Sequence, residues 1–162
     1  MMARDIATIK KDRLRYTKNK MSSSMTYLAI LFNVLYFVNI YQSDVNTYYY
    51  TMTIGFSVLC NLVFLLVAFL SSEGVKNYKM NYALVLILLG VVQIARMFGI
   101  PRMAHSTMTT IDAVEVLVMD DKQYMTVIIL LALSAASCFV AGINGVIKTS
   151  VLQKYKKDNG FE

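Results

Sequence analysis

The sequence predicts an all-α membrane protein, a bundle of four transmembrane helices with both termini in the cytoplasm. Three observations carry that expectation. Hydrophobic residues make up 57% of the 162 positions, more apolar side chain than a soluble domain of this length has interior to hide. Only 16% of residues are charged, and they cluster in short runs that separate four long apolar segments. Lys and Arg divide thirteen to three between the two sides that four crossings define, and the basic side is the cytoplasmic one.

Residues 1–20 form a basic cytoplasmic segment, with seven Lys and Arg against Asp5 and Asp12. Ile6, Ile9 and Leu14 are spaced for a weak apolar stripe, so a short helix on the membrane surface and a solvated tail are both open readings. The apolar run that follows is of full spanning length and no small-residue cleavage site closes it, which argues against a secretory signal.

The transmembrane domain covers 21–148, with helices expected at about 21–41, 47–70, 80–98 and 124–147. Each has roughly 20 residues, which at about 1.5 Å per residue crosses a hydrocarbon core of about 30 Å. Helix is favoured over strand because the runs far exceed the length of barrel strands and lack strict alternation. The short connection Gln42 to Asn46 makes the first pair an antiparallel hairpin. Gly99 and Pro101 end the third helix.

The outer loop, 99–123, is the largest exposed feature. Ile111, Val114 and Val118 have helical spacing, while Val114, Val116 and Val118 alternate as a strand does, and the pattern does not decide between them. Residues 149–162 are expected as a basic cytoplasmic tail. Tyr41 and Tyr48–Tyr50 at the outer end of the first hairpin read as an interfacial aromatic belt.

Water is absent from a bilayer core, so polar groups there face other helices or a cavity. Asn33 and Asn61 fall at similar depth on antiparallel neighbours, which predicts a hydrogen bond between them. Gln93 and Arg96 lie towards the outer end of the third helix. Arg96 either snorkels to the outer headgroups or closes a polar pocket with Gln93, paired with Asp44 or a loop carboxylate. These four residues are the candidate intramembrane site.

On the fourth helix Ser137, Ala141 and Gly145 recur every four residues, as do Ser134, Cys138 and Gly142. Small residues at that spacing let helix backbones approach closely, so this face is the candidate surface for helix packing or for a partner.

The remaining residues exclude more than they suggest. Cys60 and Cys138 belong to no metal-ligand or redox motif, and lone His105 has no second ligand at metal-binding spacing and reads as solvated. No nucleophile and base set, carboxylate pair or phosphate loop is present. The expectation is therefore a protein without catalysis, cofactor or metal. A net charge of +6 gathered at helix flanks points to orientation in a membrane rather than to nucleic acid. The leading reading is an accessory or scaffolding subunit of a complex in the cell membrane, with a membrane-protein partner or its own copies. The alternatives are a small oligomeric transporter or channel, with Asn33, Asn61, Gln93 and Arg96 lining its path, and a membrane sensor or regulator.

Overall fold

A computed structural model describes residues 6–40, 48–111 and 114–160, with side chains at 48–54, 109, 111, 114 and 116 excepted. Four of its helices are long and apolar enough to cross a membrane. They are α2 (Lys20–Ile40), α3 (Tyr48–Lys76), α4 (Met80–Met97) and α6 (Asp121–Asp158), with α1 (Ile6–Arg13) before them and α5 (Ile100–Ser106) in the loop.

The bundle is inverted relative to a soluble one. Its inner faces carry Ser22, Ser23, Thr26, Asn33, Ser57, Asn61, Ser71, Ser72, Gln93 and Ser134, all buried. Leu31, Leu59, Leu66, Leu88 and Ile143 are each more than half exposed on the outside. That much apolar surface in water would drive aggregation. In lipid it is the expected exterior, and the small polar interior joins the helices by close contact and hydrogen bonds.

α6 is the central element and packs chiefly on α2 and α4. Its small-residue face lies wholly inside: Ser134, Ser137, Cys138, Ala141, Gly142 and Gly145 are all buried. A methyl group at Gly142 would stand 2.9 Å from the Ala83 carbonyl oxygen and 2.6 Å from Ile87 Cγ1, so α4 and α6 meet backbone to backbone there. One sector of the core joins Ala29, Phe64, Ala68, Val75, Ala83, Leu86, Leu89, Cys138 and Ala141 around this contact.

Helix boundaries follow local chemistry. α4 stops at Met97 because the Phe98 and Gly99 amides turn back onto Ala95 and Arg96 carbonyls, and Pro101 then opens α5, where its missing donor costs nothing. The Asp120 carboxylate caps α6 by accepting from the Gln123 amide at 2.8 Å, satisfying one of the free donors of a first turn. At its other end α6 runs to Asp158, through positions expected as a separate tail. No Gly or Pro interrupts the sequence from Lys148 to Asn159, and Gly160 takes a left-handed conformation, φ 65°, just past the helix. α3 likewise continues six residues beyond its expected end, to Lys76.

In the loop between α4 and α6 the segment with two possible periodicities is strand, and a short helix precedes it at positions that pattern did not cover. α5 is followed by an antiparallel hairpin of β1 (Met108–Ile111) and β2 (Val114–Leu117), in which Met108 faces Leu117 and Ile111 faces Val114. Val118 and Met119 then turn inward and are buried with Ala104, Val127 and Leu131. Tyr41, Asp44 and Asp112 lie outside the described residues, as do the side chains of Tyr48–Tyr50. At the far end of the molecule α1 is helical rather than a solvated tail and docks on the extension of α6, where the Tyr155 hydroxyl donates to Asp12 Oδ1 at 3.2 Å.

Candidate functional site

Asn33, Asn61, Gln93 and Arg96 meet within the bundle, at the level where α4 ends. α2 carries Asn33 on the buried face defined by Thr26, Ala29, Asn33 and Tyr36, a spacing of three and four that holds one side of a helix towards the core. α3 supplies Asn61 one turn after Ser57, and α4 supplies Gln93 and Arg96 one turn apart. Ser134 comes from the small-residue face of α6. Asn33, Asn61, Gln93 and Ser134 are each at most 1% exposed.

Arg96 turns inward instead of snorkelling. Its Nη1 donates to Gln93 Oε1 at 2.8 Å and to Asn33 Oδ1 at 3.0 Å, and its Nη2 donates to Asn61 Oδ1. The guanidinium carbon stands 4.8 Å from the centroid of the buried Tyr36 ring, a distance suited to attraction between a cation and the negative ring face. Three amide oxygens and one aromatic face thus solvate the charge in place of water.

Gln93 extends the network across the bundle. Its Nε2 donates to Asn33 Oδ1 and to Ser134 Oγ, both at 2.9 Å, and the Ser134 hydroxyl donates to the Ala29 carbonyl at 3.0 Å. The expected contact between Asn33 and Asn61 is present, with Asn33 Nδ2 donating to Asn61 Oδ1 at 3.4 Å. Both Asn oxygens point at donors, so the amide orientations are fixed by Arg96 and Gln93.

Two features set this network apart from ordinary helix glue. Among the described residues Arg96 forms no ion pair; amide oxygens orient a cation but do not neutralise it. Asn61 Nδ2 is buried with no hydrogen-bond partner among the described residues, although buried polar atoms are nearly always satisfied. A cavity of about 170 Å³ lies beside Arg96, lined also by Tyr36, Phe56, Ser57, Cys60 and Ile100 among others. At least three of the five guanidinium donors are used within the network.

No family model matches the chain, and no curated protein or solved structure does. The chemistry of the site therefore stands on these residues alone. Among the described residues no group of three His, Cys, Asp or Glu side chains gathers as metal ligands do, and the arrangement at Arg96 attracts an anion rather than a cation.

Tyr36, Ser57 and Ser134 complete the site and escaped sequence reading for different reasons. Tyr36 was indistinguishable from an aromatic in an apolar run, Ser57 from a small packing residue, and Ser134 was assigned only to the packing face. The periodicity of Asn33 and Tyr36, three residues apart on one helix face, was the available signal. His105 also departs from expectation. It stacks on Tyr124 with centroids 4.4 Å apart, approaches Met119 O at 3.3 Å through Nδ1 and places Nε2 3.7 Å from Asp121 Oδ1, which fastens α5 to the start of α6.

A second polar cluster sits at the opposite end of the bundle. Asn19 and Asn144 share the Ser22 hydroxyl, with Nδ2 to Oγ distances of 2.8 and 2.7 Å, and Lys148 Nζ donates to Asn19 Oδ1 at 3.3 Å. The Asn19 amide donates to the Lys76 carbonyl at 2.9 Å, tying the start of α2 to the end of α3. Between the two clusters the interior mixes apolar side chains such as Ala68, Leu86 and Cys138 with buried Ser23, Thr26 and Ser72.

Proposed function

We propose that this chain is a non-catalytic, multi-pass protein of the cell membrane, with both termini cytoplasmic, whose bundle binds a small anionic group at Arg96 as the ligand-binding component of a larger assembly. The single observation behind this reading is the inward Arg96, held by neutral groups beside a cavity that it lines together with Ser57, with the buried Asn61 Nδ2 left unpartnered in the same network. A guanidinium fork matches carboxylate or phosphate geometry, and an anion there supplies a countercharge that no described residue provides.

Burial of the small-residue face inside the bundle fits helix packing, the first of the two readings that face offered, and leaves the outer loop as the exposed surface for a partner. Orientation rests on the thirteen to three division of Lys and Arg. It places the Arg96 site near the outer leaflet.

The test is thermal stability of the purified protein in mild detergent against acetate, lactate, phosphate and sulfate. At least one anion is expected to raise the Tm of the parent and none to raise that of Arg96→Gln. Asn61→Asp supplies an internal countercharge at the same acceptor position, so it is expected to fold stably and lose the anion response. A response that survives Asn61→Asp, or no response from any anion, overturns the reading. For orientation, Arg102→Cys should react with a membrane-impermeant maleimide on intact cells and Lys157→Cys should not.

A further inference from the structure

Arg96 borders two cavities, and the second is of a different character. It is a groove of about 340 Å³ between α3 and α4, lined by Leu59, Val63, Phe64, Leu89 and Val92, with Cys60 and Arg96 shared with the smaller cavity. Apart from Arg96 its lining is apolar or thiol. Leu59, Val63 and Val92 are all well exposed on the outer surface of the bundle, so the groove opens sideways to lipid rather than to water.

The direction of the groove is set by the antiparallel helices. Leu89 precedes Arg96 by seven residues, about 10 Å along α4, and Val63 and Phe64 follow Cys60 on α3 in the same direction. The charged end therefore lies at the level where α4 stops, and the apolar end runs from there towards the middle of the span. A membrane amphiphile has that order and that polarity.

We infer that the anionic group bound at Arg96 is the carboxylate of a single-chain amphiphile, a free fatty acid or a close analogue, that enters laterally from the bilayer. This rests on the anion-binding reading and adds the class of ligand and its route. The carboxylate lies against the guanidinium, with Ser57, which lines the smaller cavity, beside it, and the chain occupies the groove. One groove of one chain's width favours a single tail over a two-chain phospholipid. The carboxylate is favoured over a phosphate because Arg96 is the one charged residue lining the two cavities, and one guanidinium balances a carboxylate's single negative charge, whereas a phosphate monoester carries more.

The test uses the protein in phosphatidylcholine nanodiscs with a photoactivatable palmitic acid analogue bearing its diazirine midway along the chain. Crosslinks are expected at Leu59, Val63, Leu89 or Val92. Palmitate should compete at least about tenfold better than hexadecanol, which has the same tail and no charge, and better than lysophosphatidic acid, which has a phosphate head. Arg96→Gln and Asn61→Asp should abolish specific labelling. Val63→Trp, which fills the groove and leaves Arg96 in place, should abolish labelling while leaving the Tm response to acetate or lactate intact.

Equal competition by hexadecanol overturns recognition of the head at Arg96, and stronger competition by lysophosphatidic acid overturns the carboxylate class. Labelling elsewhere that Val63→Trp does not change overturns the groove. If short anions bind at Arg96 but palmitate neither labels nor competes, the amphiphile inference fails and the anion site stands. If no anion binds at all, both fail.

Discussion

The Arg96 guanidinium rests 4.8 Å from the centre of the Tyr36 ring, and the ring is 1% exposed. An aromatic residue of α2 thus forms the floor on which a charge from α4 lies. Replacing the ring while keeping apolar volume isolates this contact. Tyr36→Phe should retain most of the stability, whereas Tyr36→Leu should lose about 1–2 kcal/mol more, since that is the size of a desolvated cation–ring contact. Equal losses in detergent unfolding would show that the ring face contributes nothing.

Gln93 couples three helices, so its effect should not add independently to that of its neighbours. Ser134→Ala is expected to cost about 0.6–2 kcal/mol, the usual range for a polar contact between membrane helices. In a double-mutant cycle Gln93→Leu should reduce the cost of the Ser134 change to that of its remaining bond to the Ala29 carbonyl. Additive losses would mean that the Gln93 to Ser134 bond carries no energy.

Gly142 and Gly55 are both helical glycines, and they predict opposite outcomes for the same substitution. Gly142→Ala pushes a methyl group against the Ala83 backbone oxygen and should destabilise by about 1–3 kcal/mol through overpacking. At Gly55 an added methyl meets nothing within 4 Å, so Gly55→Ala should be neutral or slightly stabilising, as Ala is the better helix former. Comparable behaviour at the two positions would contradict the close approach of α4 and α6.

α1 is held by few contacts, and Asp12 is central to them. It accepts from Tyr155 and pairs with Arg15 at 3.5 Å. Tyr155→Phe should loosen α1 and speed trypsin cleavage at Lys18 and Lys20 several-fold without changing the unfolding of the bundle. Unchanged cleavage would mean that apolar contact alone docks α1.

Most of the architecture was legible because bilayer thickness dictates helix length and because Lys and Arg mark helix flanks. The pairing of Asn33 with Asn61 followed from equal depth on neighbouring antiparallel helices, which needs only counting. The direction of Arg96 did not follow: a long side chain one turn from a helix end reaches headgroups or bundle with equal ease, and the choice depends on whether Tyr36, Asn33 and Asn61 converge to receive it. The ends of α3 and α6 were underestimated because hydropathy falls at Ser71 and Lys148 while helix-forming residues continue. The loop pattern at 111–118 satisfied two periodicities, and hairpin pairing of Val114–Leu117 with Met108–Ile111, residues mostly outside the pattern, selected the strand. Asn19 was read as part of a tail, so the cluster it forms with Ser22, Asn144 and Lys148 had no counterpart in the sequence reading.

At 38 residues, α6 is about 57 Å long and has no internal break. One end is fastened to the loop by His105 and Asp120, and the other carries α1 through Tyr155. Because the helix is continuous, the register in which Ser134 meets the Ala29 carbonyl of α2 also fixes where Tyr155 meets Asp12 of α1, about 32 Å further along the same axis.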